Sequence, residues 1–124
     1  MNFSNLFLKT KIVEVQGVSL TLKKWTYGFV IRNNLIRQQL FGDAENKVPV
    51  PTLDQIYDFY AEQVFEGLVS WDIRREEDQT PFELTKENVK LVIAKYADFH
   101  LETANAIAQF NSGVDEETKK NLKK

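Results

Sequence analysis

Between Phe65 and Phe110 the chain repeats one device, an amphipathic run followed by residues that stop it. F-E-G-L-V-S-W-D closes on a Trp-Asp pair, and a charged stretch, D-I-R-R-E-E-D-Q-T-P, separates it from Pro81-Phe82. L-T-K-E-N-V-K-L-V-I-A-K-Y then opens behind Thr85, and Asp98-Phe99 starts one more run. Breaks at these intervals forbid a long continuous helix. They leave short helices that each bury one stripe against the others.

The same reading applies upstream. Lys11–Val15 and Val18–Lys23 are β-rich and are separated by Gln16-Gly17, which predicts a tight hairpin over residues 11–23. A lone hairpin is marginal in water, so it must pack on the helices or pair with another strand. Thr26 is placed to cap a helix to about Phe41, with Tyr27, Val30, Ile31, Leu35, Ile36 and Leu40 covering a broad face and Gly42 as its stop. Residues 42–52 carry Pro49 and Pro51 in alternation and form a loop.

Thr52-Leu53-Asp54-Gln55 reads as a capping box. The helix behind it is expected to reach about Ser70, burying Leu53, Ile56, Tyr57, Tyr60, Val64 and Leu68, with Trp71 closing the end. Thr85 caps a third helix over about 86–97, and Asp98 caps a fourth over about 99–111. The expected fold class is therefore α+β, mostly α: a small N-terminal β-hairpin followed by about four amphipathic helices in one compact domain, residues 1–111. Residues 112–124 are expected to form a flexible charged tail.

With 15 aromatics in 124 residues the chain has material for a real core. It has no cysteine, hence no disulfide framework and no thiolate chemistry. M-N-F-S-N-L-F-L-K lacks the basic start and long apolar run of a signal peptide, and no run approaches the roughly 20 apolar residues of a membrane span, so a soluble intracellular protein is expected. Residues 1–42 hold six bases against one acid, and residues 43–80 hold three bases against ten acids. These parts either face each other within the fold or serve as separate partner surfaces. The bases are scattered and the pI is about 5.5, which argues against nucleic acid.

Chemistry-bearing patterns are sparse. His100 is the single histidine and lacks an adjacent nucleophile in any elbow motif. Glu76-Glu77-Asp78 has no glycine and sits beside Arg74-Arg75, unlike a calcium loop. Neither a Gly-rich phosphate loop nor a metal-binding signature is present, so no enzyme activity, cofactor or metal is expected.

The second helix carries Asp54, Asp58, Glu62 and Glu66 at four-residue spacing with no base between them. Each like-charge i,i+4 pair costs about 0.2–0.5 kcal/mol, so the three pairs cost roughly 1 kcal/mol. The row is either a plain solvated face or a docking strip for a basic partner. That partner can be a Lys/Arg-rich helix or the basic N-terminal part of another copy, which makes self-association one form of the second reading. Phe3 and Phe7 precede the hairpin and either complete the core or form an apolar partner-binding segment.

The order of these motifs resembles the tail assembly chaperones of long-tailed bacteriophages. The resemblance covers about residues 11–111: V-E-V-Q-G-V-S-L-T-L-K-K, then a mid-chain helix ending E-G-L-V-S-W-D, then P-F-E-L-T-K-E-N-V, and a helical close in A-N-A-I-A-Q-F-N. It is one of order and texture. It implies a non-catalytic helper in the host cytoplasm that coats the tape measure protein, keeps it soluble and recruits tail tube subunits, and that is absent from the mature virion. A late ribosomal frameshift is also common in that family, and K-K-N-L-K-K at the end is compatible with an A-rich slippery run. The alternatives are a structural tail or head–tail component retained in the virion, and a small regulatory protein using the acidic helix.

Overall fold

The computed structural model of the chain describes residues 9–43, 45 and 47–112. Two strands, β1 (Thr10–Val15) and β2 (Val18–Lys23), form the expected hairpin. Gln16 and Gly17 both have positive φ, 53° and 78°. That is the pairing a two-residue turn needs to follow strand twist, and it explains why a glycine stands at one position. Burial alternates along the hairpin from Ile12 onward. Val15, Leu20 and Leu22 point into the core, while Thr10, Ile12, Glu14 and Ser19 face out.

Helix α1 (Tyr27–Phe41) starts where expected, with the Thr26 hydroxyl accepting from the Phe29 amide. Helix α2 (Leu53–Glu66) has the full capping box. The Gln55 amide donates to the Thr52 hydroxyl, and the Thr52 amide donates to the Gln55 side chain.

The second helix ends earlier than the sequence suggested. It stops at Glu66, and residues Leu68–Trp71 form strand β3, antiparallel to β2, giving a three-stranded sheet in the order β1-β2-β3. The reason lies at Gly67. A Cβ there would stand 2.7 Å from Ile107 Cγ2, so only glycine lets the chain pass beneath the last helix. The Lys23 amide donates to the Gly67 carbonyl at 2.9 Å, which starts the new pairing. A bulge between Thr21 and Leu22 accommodates the four-residue strand. Asp72 locks its far end: its amide donates to the Ser19 carbonyl, and its carboxylate accepts from the Ser19 amide at 2.7 Å.

The Trp-Asp and Pro-Phe motifs meet in space. Trp71 stacks on Phe82 with ring centroids 6.0 Å apart and 6° between planes, and its Nε1 donates to the Phe82 carbonyl at 2.5 Å. The charged stretch between them is thereby a closed loop, pinned by the Arg74–Pro81 bridge.

Helix α3 (Lys86–Lys95) is capped by Thr85 and is slightly shorter than expected. Helix α4 (Ala97–Asn111) begins before Asp98. Tyr96 is both the C-cap of α3 and the N-cap of α4, and no side chain caps α4. Asp98 sits in the first turn instead, where its charge complements the helix dipole. The core is one cluster of Val15, Leu20, Leu22, Ala61, Val64, Leu68, Val89, Ile93, Phe99 and Ile107. It is α+β and mostly α, with a third strand the periodicity did not reveal.

Candidate functional site

Asp54, Asp58, Glu62 and Glu66 share one face of α2, and that face is met by bases from two other helices. Lys90 reaches Asp54 at 2.8 Å and Asp58 at 3.8 Å. Lys86 reaches Asp58 at 3.5 Å and Glu62 at 3.8 Å. Arg32 pairs with Glu62 and lies 3.9 Å from Glu66. Lys86 and Lys90 are themselves four residues apart on α3, so the two rows match rung for rung. The hydrogen bond and charge of Asp54 hold the Lys90 ammonium above its ordinary value. The like-charge cost along α2 is thus offset by neighbours distant in sequence. Exposed pairs of this kind are screened by solvent and contribute little each, and their main effect is to register α2 against α1 and α3. Phe3 and Phe7 lie outside the described residues.

The apolar surface lies elsewhere, on α1. Phe29, Asn33, Ile36 and Leu40 recur at helical spacing and face inward, Phe29 and Asn33 buried. Tyr27, Val30, Ile31 and Leu35 form a second strip on the outside, and Tyr27 is 81% and Leu35 55% exposed. An ordinary surface helix is apolar on one side only. This one is apolar on both, so the broad apolar face expected from the sequence divides into an inner and an outer strip.

Between α1 and the second half of α4 runs a groove. Two basins of about 390 and 550 Å³ share Trp25, Val30 and Ala108 as lining. Polar contacts knit the groove floor, and the lining mixes apolar side chains, Trp25, Phe29, Val30 and Ile107, with the amides Asn34 and Asn105. Trp25 Nε1 donates to the Gln63 carbonyl at 3.0 Å, and Gln63 Nε2 donates to Asn33 Oδ1 at 3.2 Å. At the far end Asn111 Oδ1 accepts from the Trp25 amide at 2.7 Å, and Asn111 Nδ2 donates to the Ile107 carbonyl. Lys24 donates to the Phe110 carbonyl and sits 4.4 Å from the Phe110 ring centroid. These bonds fix α1 to α2 and α4 at its start while its outer strip stays uncovered. The signal in the sequence was available: α1 has apolar residues at too many angles for one buried stripe.

His100 lies at the α2–α4 contact, its ring 5.3 Å from that of Tyr60. Its Nδ1 is buried without a partner, as is the Thr103 hydroxyl one turn on, and burial pulls the imidazole below its ordinary value. Among the described residues no group of three or more His, Cys, Asp or Glu is arranged to hold a metal ion, and no helix is long and apolar enough to cross a membrane. No family model matches the chain, and no curated protein and no solved structure is significantly similar to it.

Proposed function

We propose that this chain is a non-catalytic binding protein of the tail assembly chaperone type: it covers an apolar helical segment of the tape measure protein in the host cytoplasm, keeps it soluble, and yields it to tail tube subunits. The observation that carries the reading is the doubly apolar α1, with Tyr27, Val30, Ile31 and Leu35 outside and a groove against α4 beside them. A helical partner lays one apolar face into such a groove and is read through anchors at i, i+3, i+4 and i+7. Burial of each large anchor contributes about 1.5–3 kcal/mol before ordering costs, enough for binding that a competing partner can reverse. The motif order over residues 11–111 supplies the identity of the partner in this reading.

The test is co-expression with the long helical product of the neighbouring gene, comparing the unmodified chain with Ile31→Asp/Leu35→Asp. Both side chains are exposed, so the variant is expected to fold with an unchanged circular dichroism spectrum. The long partner is expected in the soluble fraction with the unmodified chain and in the pellet with the variant. Equal rescue by both removes α1 as the contact, and rescue by neither removes the chaperone reading.

One observation favours a second reading, a component retained in the particle. Strand β1 is an edge of the sheet, and Ile12 on it is 71% exposed. An open edge with an exposed branched residue can pair with a strand of another copy. Abundance of this chain in purified virions supports that reading against the first.

A further inference from the structure

We infer that the α1–α4 groove accepts an amphipathic helix whose apolar face is flanked by acidic side chains. The inference rests on the binding reading above and adds the charge of the partner. From Gln16 to Gly42 the chain has four bases, Lys23, Lys24, Arg32 and Arg37, and no acid. The stretch of α4 that forms the opposite wall, residues 104–112, carries no charge. The lining of the two basins therefore includes Lys24 and Arg37 and not one carboxylate. Arg32 is taken up by Glu62, but Arg37 has no ion-pair partner among the described residues and rests 5.9 Å from the Phe59 ring centroid. Lys24 is in the same position, tied to a carbonyl and a ring. Burial, and then the charge of Lys9, draws its ammonium below the ordinary value, so a carboxylate arriving there relieves a cost already present.

The acidic row on α2 offers a cationic partner much less. Its four carboxylates already face Lys86, Lys90 and Arg32. The fold thus occupies the acidic row of α2 with its own bases and leaves positive charge at both ends of the groove. Charge placed this way selects the partner and its orientation more than it adds affinity.

Two synthetic helices of roughly 20 residues test the assignment. They share one Leu/Ile face at i, i+3, i+4 and i+7 spacing and differ only in flanking residues, Glu in one and Lys in the other. Affinities for the full chain are measured by titration calorimetry at low and high salt. The Glu-flanked helix is expected to bind about tenfold more tightly at low salt, with the gap closing at high salt. Arg37→Gln is expected to shrink the preference and Arg37→Glu to abolish or reverse it, while Asp54→Lys leaves it in place. Equal affinity for the two helices overturns the charge assignment and leaves the chaperone reading standing, since that reading is judged by rescue of the long partner. A tighter Lys-flanked helix, a preference indifferent to Arg37→Glu, or no binding by either helix overturns it. Binding that needs removal of residues 1–8 also overturns it, by assigning the groove to the chain's own first residues.

Discussion

Gly67 and Ile107 meet so closely that neither position tolerates growth. A methyl group at residue 67 would sit 2.7 Å from Ile107 Cγ2 and 3.1 Å from its Cδ1. Gly67→Ala is expected to lower stability by about 1–3 kcal/mol, the usual cost of overpacking, whereas Gly67→Ala/Ile107→Ala removes the clashing Cγ2 and Cδ1 and carries a cavity cost instead. Urea midpoints of the three chains check this. The glycine itself is visible in the sequence, inside F-E-G-L-V-S-W-D. Its contact with a residue forty positions later belongs to the tertiary fold. His100 is a second case. Its neutral form is the native one, because burial holds the folded imidazole below its ordinary value. The unfolded chain takes up the proton first as pH falls, so this contribution to stability is complete above about pH 6.5 and is lost as pH falls from there through the lowered folded value. The urea midpoint is expected to drop more between pH 7.5 and 5 for the unmodified chain than for His100→Gln. An equal drop would place the histidine outside the titrating set.

At the scale of the element, local chemistry was legible wherever it is local. The hairpin turn at Gln16-Gly17, the caps at Thr26, Thr52 and Thr85, and the start of each of the first three helices stand where residue types put them. Strand β3 was not legible. L-V-S-W continues the apolar spacing of α2 by chance, and only its pairing with β2 makes it a strand. The acidic row shows the same limit. Asp54, Asp58, Glu62 and Glu66 were readable as a costly row, but the bases that offset it come from α1 and α3. Reversing those bases checks the role. Lys86→Glu/Lys90→Glu is expected to lower the urea midpoint, with less effect in high salt. Asp54→Lys/Asp58→Lys in the same chain is expected to restore most of it. Failure to restore would mean that the two rows do not act as a pair.

For the molecule as a whole, charge and apolar surface are sorted onto different faces. The acidic row in the middle of the chain is met chiefly by Lys86 and Lys90, and by Arg32 from the basic start. Among the described residues the two charge blocks therefore face each other at Arg32. What remains outward is α1, apolar on a side that packs nothing among the described helices, and a groove rimmed by Lys24 and Arg37. Such a face in a chain of this size is what the proposed binding role requires. The sequence concealed it because α1 carries enough apolar residues for two stripes, and amphipathic counting assigns them all to one. The acidic strip was therefore the more conspicuous candidate, and the apolar strip is the one left open.

In the proposed binding, α1 and the facing half of α4 carry the contact. Hydrogen exchange of the chain with and without the proposed long helical partner checks this. Slower exchange on binding is expected across Tyr27–Phe41 and residues 104–112, with Leu53–Glu66 and Lys86–Lys95 little changed. Protection confined to those two helices, or to the β1 edge, would contradict the account.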